Sequence, residues 1–243
     1  MIDIHCHILP DFDDGARDLQ ESLTMARLAA ESGVAGIIAT PHFRGEQSTL
    51  GVLPQLLETY RELSQAIRRE GIPVSLLPGA EILCMPQTAE LARDQALPTL
   101  GDTQYLLTEF FFDEPGFRIS MMLRSLADCG YKPVIAHPER YDAVQEDPGL
   151  LESWFRDGYV IQLNKGSILG AFGSRVERTA DIALYHGFAH LVASDAHSCI
   201  RRTTSMHRLR HRLTEKCPPE YIRILLEQNP AHLIRNQDMV PVI

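Results

Sequence analysis

Met1-Ile2-Asp3-Ile4-His5-Cys6-His7 opens the chain: a short apolar run that ends in two histidines one residue apart. Residues i and i+2 of an extended strand point to the same side, so His5 and His7 aim two imidazoles at one point just past the strand's end. That geometry suits a metal ion. The bland alternative is a solvated strand edge, because motifs this short recur by chance. What decides between them is whether other strands end in the same way.

Further along, short apolar or β-branched runs alternate with longer amphipathic ones. Runs at 34–40, 74–80, 105–110, 132–136, 159–164 and 190–194 read as strands and make seven with the first. Between them, helices are expected at 18–33, 54–70, 88–94, 119–129, 148–156 and 175–186, with a helical tail at 203–213, 219–228 and 230–235. Asp18 and Glu21 have capping-box spacing at the first helix start, and Gly33 is its stop. Strands that are nearly all apolar and alternate with helices imply a parallel sheet covered on both faces. The simplest such α/β architecture is a closed or nearly closed seven-stranded barrel. A doubly wound dinucleotide-binding sheet needs a glycine-rich turn after the first strand, and none is there. No repeat, low-complexity stretch or Gly/Ser linker divides the chain, so residues 1–243 are expected to form a single domain.

Composition narrows the function. Apolar residues make up 44% and charged residues 23%. No apolar run reaches the length of a membrane span, and the start lacks the basic-then-apolar layout of a signal peptide. No membrane insertion and a cytoplasmic location are therefore expected. The five cysteines are scattered and never spaced as Cys-x-x-Cys, which argues against a disulfide framework and a zinc ribbon. A net charge of −9 disfavours general nucleic-acid binding. One basic run stands out, residues 196 to 214 with five arginines and no acid, and most of it reads as a solvated helix face.

Strand ends carry the chemistry. His5 and His7 are followed in the next loop by Asp14; the later strands lead into His42, Glu81, Glu109, His137, and Asp195 with His197. Asp195-Ala196-His197 repeats the same-side spacing of the first pair. In a parallel barrel all carboxyl ends open on one rim, where active sites are built. Each residue alone has an ordinary reading, such as a turn for Asp14 or a loop histidine for His42. Ionised carboxylates beside buried apolar runs, however, are costly unless paired or metal-bound. Five histidines and four carboxylates, with no cysteine in the same slots, suit Mn2+, Fe or Zn2+ and are too many for one ion. Two or three clustered metals are the usual apparatus of phosphoester hydrolysis. Arginines hold phosphate well by bidentate contact, and Arg140 and Arg202 lie near the rim, with Arg201 beside the second.

Together His5-Cys6-His7, Asp13-Asp14-Gly15, Thr40-Pro41-His42, Gly79-Ala80-Glu81, Glu109-Phe110, Ala136-His137-Pro138-Glu139-Arg140-Tyr141 and Ser194-Asp195-Ala196-His197 resemble the PHP (polymerase and histidinol phosphatase) superfamily. Within it the chain looks most like the manganese-dependent bacterial tyrosine-protein phosphatases of capsular and exopolysaccharide operons. The resemblance implies a distorted (β/α)7 TIM-like barrel with three metals. By it, His5, His7, Glu81 and Asp195 hold the first ion; Glu81, Glu109 and His137 the second; Asp14, His42 and His197 the third. Arg140 and Arg202 match phosphate-binding arginines. The implied reaction is attack of a metal-bridging hydroxide on phosphotyrosine of a cognate bacterial tyrosine kinase, so Cys6 is not expected to attack phosphorus. Alternatives are a small-molecule phosphatase of histidinol-phosphate type, or an inactive metal-bound partner of a kinase. Gln162-Leu163-Asn164-Lys165 departs from the family pattern; Lys165 is read as contacting phosphate or carboxylates, or facing solvent. Cys6, Cys84 and Cys199 lie within three residues of a ligand and are either rim thiols open to peroxide or buried small hydrophobes.

Overall fold

Apolar runs become strands at each place expected, and two short strands that were not expected follow just past the runs at 34–40 and 74–80. The structure, a computed structural model, describes residues 1–44 and 49–241, and of residues 49–52 the backbone alone. The described residues carry β1 (Ile2–Cys6), β2 (Gly36–Ala39), β3 (His42–Phe43), β4 (Ser75–Pro78), β5 (Glu81–Leu83), β6 (Tyr105–Glu109), β7 (Lys132–Ala136), β8 (Val160–Asn164) and β9 (Leu191–Ala193). All pairings are parallel, in two sheets ordered β1-β2-β4 and β3-β5-β6-β7-β8-β9.

Two corrections to the seven-stranded closed barrel follow. The strand count among the described residues is nine, and the two sheets are not hydrogen-bonded into one closed cylinder. Thr40-Pro41 separates β2 from β3, because proline has no N–H for the ladder; the Thr40 hydroxyl instead accepts from the Cys6 N–H at 2.9 Å. Gly79-Ala80 separates β4 from β5, and a Cβ at Gly79 would meet Ile38 Cγ2 at 2.8 Å, so only glycine fits beside the neighbouring strand there. On the other side the sheets meet through a bridge between Cys6 and Ala196, with the Asp195 N–H donating to the His5 carbonyl at 2.9 Å.

Alternation along the strands sorts the core into two layers. Leu107, Val134, Val160, Leu191 and Ala193 pack with Ile4, Ile38 and Leu233 in one cluster. Leu106, Ile135, Ile161, Leu163 and Val192 pack in a larger one that also takes in residues from the surrounding helices, such as Leu23, Leu63, Leu123 and Trp154. In β1 the register shifts between Asp3 and Cys6. That irregularity places Ile4 in the smaller cluster and Cys6 in the larger one, and frees His5 to face the site.

Helix ends follow the sequence closely at Leu19–Glu31, where the Asp18 side chain accepts from the Glu21 N–H at 2.8 Å. The helix Thr49–Arg69 runs through Pro54, which the sequence reading takes as its first residue. At the other end the tail runs as Pro219–Arg223, a π-turn at Ile224–Gln228, and Asn229–Ile234. A wide turn there relieves the clash of the Pro230 ring with the carbonyl four residues back. No described helix is long and apolar enough to cross a membrane.

Candidate metal centre

Every one of the nine residues expected at the rim is brought together. Glu81, at the start of β5 and buried, is the hub: its carboxylate lies 3.2 Å from His5 Nε2, 3.3 Å from His7 Nε2, 3.2 Å from His42 Nδ1 and 3.0 Å from His137 Nε2. Asp195 stands 3.5 Å from His5, 3.6 Å from His7 and 3.6 Å from His197. Glu109 is 3.5 Å from His42 and 3.7 Å from His137, and Asp14, 64% exposed, is 3.5 Å from His42 and 3.4 Å from His197. Four overlapping groups result: His7, Asp14, His42 and His197; His5, His7 and Glu81; His5, His137 and Asp195; His42, Glu81 and Glu109. The division differs in detail from the ligand sets implied by resemblance, with His42 as near to Glu81 as to Asp14.

Backbone strain accompanies the cluster. His137, Asp195 and Arg202 have φ of 37°, 49° and 50°, in the left-handed region that non-glycine residues rarely enter. Such residues persist where the surrounding structure over-determines them, and they gather at functional sites.

Charge in the cluster is arranged around the carboxylates. Burial works against a charged His5 and His7, but Glu81 and Asp195 beside the first, and Asp13 and Glu81 beside the second, outweigh it and lift them to about 9 and about 10. Burial also opposes the charge on Glu81 and Asp195, yet the neighbouring histidines hold Glu81 well below the usual carboxylate range and Asp195 at about 2. Burial and the charge of Glu81 push Glu109 up to about 8. His197 is held down to about 4 by burial and by His7. Ring nitrogens of His5 and His7 approach to 3.3 Å with carboxylates on both sides. Cations of borderline hardness would satisfy those nitrogens and oxygens together, so the donor set fits metal ions.

Around the donors lies a layer that sequence reasoning missed. The Asp13 carboxylate takes the other ring nitrogen of His7 at 2.7 Å and accepts from the backbone of Gly15 at 3.0 Å and His42 at 2.9 Å. Gln162 Oε1 takes the other nitrogen of His5 at 2.9 Å. The Asn164 amide donates to Asp195 Oδ2, while its own backbone N–H donates to the buried Glu139 carboxylate at 2.8 Å. Such partners fix a ligand's tautomer and direction. The only sequence signal was that polar side chains stand among apolar ones in β8.

Both arginines reach the cluster. Arg202 pairs with Asp195 Oδ2, and Arg140 Nη1 is 3.6 Å from the same oxygen. Arg140 is sandwiched between Phe112 and Phe172, each ring centroid 4.5 Å from its guanidinium carbon. Arg201 is exposed, and its carbonyl accepts from the Ser198 hydroxyl. Lys165 is buried; its ammonium donates to the carbonyls of Thr203 and of Ser205, the latter at 3.1 Å, and so ties down the loop that carries Arg202. Cys6 and Cys84 are buried, and burial pushes both thiols up; Cys199 is half-buried beside Glu21.

The sequence matches the family described as Capsular polysaccharide synthesis, CpsB/CapC, over residues 1–235. It is similar to the tyrosine-protein phosphatase YwqE of Bacillus subtilis, 36% identical over 242 residues, which covers 98% of this chain and 92% of that one. It is also similar to the tyrosine-protein phosphatase CpsB of Streptococcus pneumoniae, 28% identical with 98% and 99% covered. A solved chain from the structures of YwqE and CpsB, described as unique metal-dependent tyrosine phosphatases, superposes with a TM-score of 0.87 at 35% identity and full coverage of both chains. The putative histidinol phosphatase HisK of Listeria monocytogenes superposes with a TM-score of 0.53 at 10% identity, covering 83% of this chain and 98% of that one, a likeness of fold alone.

Proposed function

Because the chain belongs to the CpsB/CapC family of capsular polysaccharide synthesis proteins, we propose that it is a metal-dependent protein-tyrosine phosphatase acting on phosphotyrosine of a bacterial tyrosine kinase that controls capsule or exopolysaccharide synthesis. One observation carries this reading: overlapping donor groups centred on Glu81 stand against two guanidiniums that converge on Asp195. His5, His7, Asp14, His42, Glu81, Glu109, His137, Asp195 and His197 are the proposed ligands. Manganese is the proposed metal, as two or three ions, with iron and zinc as the competitors. When bound, such ions supply a water of lowered pKa and offset charge on the phosphoryl group.

What the chain itself does is hold and orient. Arg140 and Arg202 are the proposed phosphate-binding groups, presented at adjacent points of the rim with the Phe172 ring 4.5 Å from the first guanidinium and 6.0 Å from the second. Asp13 and Gln162 turn the inner nitrogens of His7 and His5 toward Glu81. Cys6, buried with its thiol against the Ala196 carbonyl, stays protonated and is no nucleophile. We read the two sheets as one distorted seven-stranded barrel in which two strands are interrupted, the whole chain as one domain, and its location as cytoplasmic.

The test is release of phosphate from a phosphotyrosine peptide by protein loaded with Mn2+, Fe2+ or Zn2+ in turn, beside histidinol phosphate. Turnover of the peptide, its loss on chelation and its loss in His137→Ala are expected. A higher kcat/KM for histidinol phosphate would replace the protein substrate with a small one, and absence of turnover with every metal would leave a binding partner of the kinase.

A further inference from the structure

We propose that the cleft beside His42 and Glu109 is a subsite for the aromatic ring of the substrate's phosphotyrosine, walled by Phe111 and Phe112; this rests on the phosphatase reading above. The cleft measures about 410 Å3; Leu83, Met85 and Phe110 complete its apolar lining, and Arg44 stands at it beside His42 and Glu109. That is within the range of small-molecule sites, about 300–1,000 Å3. Its mouth is shared with two of the nine candidate ligands, so a group entering it is already at the cluster.

Phe111 is 50% exposed and Phe112 41%. One exposed apolar side chain is ordinary; two adjacent rings held out beside a charged cluster are not explained by core packing. Their positions are fixed by the backbone. The Phe110 N–H donates to the Tyr141 hydroxyl at 3.2 Å, and that hydroxyl donates to the Ala136 carbonyl at 2.8 Å. The Phe112 carbonyl accepts from the Asp142 N–H at 2.8 Å, and the Phe111 carbonyl from the Glu114 N–H at 3.0 Å. Both rings are thus presented from a pinned turn, which spares a ligand the entropy of ordering the backbone that carries them.

Phe112 stands 4.5 Å from the Arg140 guanidinium carbon and 6.2 Å from the His137 ring centroid, between a proposed phosphate holder and a proposed ligand. In an aryl phosphate only the ester oxygen separates phosphorus from the ring, so a phosphoryl group held there leaves its ring beside the cluster wall. On the other face of Arg140 the neighbouring cleft has a single ring, Phe172, with Leu169 and Ile200 beside three cations, Lys165, Arg202 and Arg208, whereas the cleft beside His42 has three phenylalanines and one arginine, Arg44. The cleft with Phe111 and Phe112 is the one that matches an aromatic group, and offset or edge-to-face packing on two rings strengthens binding beyond simple burial.

Metal-loaded protein titrated by calorimetry with phenylphosphonate and methylphosphonate tests this, since the two share the phosphonate head and differ in the ring. Phenylphosphonate is expected to bind about tenfold more tightly. Phe111→Ala is expected to bring that ratio close to one with methylphosphonate affinity and metal content preserved, and Phe111→Leu, which keeps apolar bulk without a ring, to fall between. Phe117→Ala, 67% exposed and outside the cleft, is expected to keep the full ratio. Equal affinities in the wild type, or a ratio that survives Phe111→Ala, overturns the subsite while phosphotyrosine hydrolysis stands. Affinity for neither phosphonate, together with no hydrolysis of phosphotyrosine peptide, brings down the phosphatase reading and the subsite with it.

Discussion

Asp13 and Asp14 are neighbours with different work, and only the fold separates them. Asp14 faces His42 and His197, as its place in the sequence suggests, whereas Asp13 turns inward to the far ring nitrogen of His7. A carboxylate on Nδ1 selects the Nδ1–H tautomer of the neutral ring and directs Nε2 toward Glu81, where a bound ion would take it. Sequence order hides this, because Asp13 gains its role from partners at positions 7, 15 and 42 that meet only in the folded chain. Gln162 was legible merely as a departure from pattern, and the charge of Lys165 was readable while its carbonyl partners 38 and 40 residues away were not. We predict that Asp13→Ala lowers metal affinity or turnover about 10- to 100-fold. Asp13→Asn, whose amide oxygen still accepts, loses less. Metal retained after dialysis, read beside kcat, checks this; full retention and full turnover in Asp13→Ala would assign the residue to the turn alone.

Elements that depend on local pattern were the readable ones. The strand Lys132–Ala136 lies where its apolar run lies, and the helix Leu19–Glu31 begins at its Asp18 cap. The runs at 34–40 and 74–80 stop where the sequence stops them, but their resumption as His42–Phe43 and Glu81–Leu83 was not readable, since each of those short strands exists through pairing with its neighbour. The loop after β1 is another such case, and it carries the argument further. A Cβ on Gly15 would lie 2.1 Å from the His7 carbonyl oxygen and 2.6 Å from His7 Cβ. The obstacle is backbone and cannot swing aside, so the Asp13-Asp14 turn closes over His7 only because residue 15 has no side chain. Gly15→Ala is therefore predicted to destabilise by about 1–3 kcal/mol, as overpacking does. For a chain of this size that is a fall in Tm of roughly 2–12 °C. Since the displaced turn carries Asp14, metal stoichiometry is expected to fall with it. A variant that melts like the wild type with its full complement of metal would show that the turn yields.

At the scale of the molecule, the rim is legible from strand ends and the floor is not. Nothing in the tail sequence says that it closes the sheet at the far side from the metal centre, yet Leu233 packs in the same cluster as Ile4 and Val134. His190, entering β9, joins these parts. Its Nδ1 accepts from the Ile161 N–H at 3.1 Å, its carbonyl accepts from the Asn229 amide at 2.9 Å, and its ring stacks on Phe155 at 5.0 Å. The accepting nitrogen carries no proton, and burial alone holds the imidazole down to about 4. In the unfolded chain the same group takes its proton near 6.5. Between those values the unfolded state binds more protons, so stability falls as pH drops from about 6.5 and levels off below about 4. The difference is worth about 3 kcal/mol. His190→Asn keeps an acceptor for the Ile161 N–H and cannot titrate. It is less stable at pH 7 through lost stacking, but its urea midpoint is predicted to drop less than that of the wild type between pH 6.5 and 4. Parallel curves for the two proteins would show that acid acts elsewhere, on the carboxylates of the rim rather than at the join between sheet and tail.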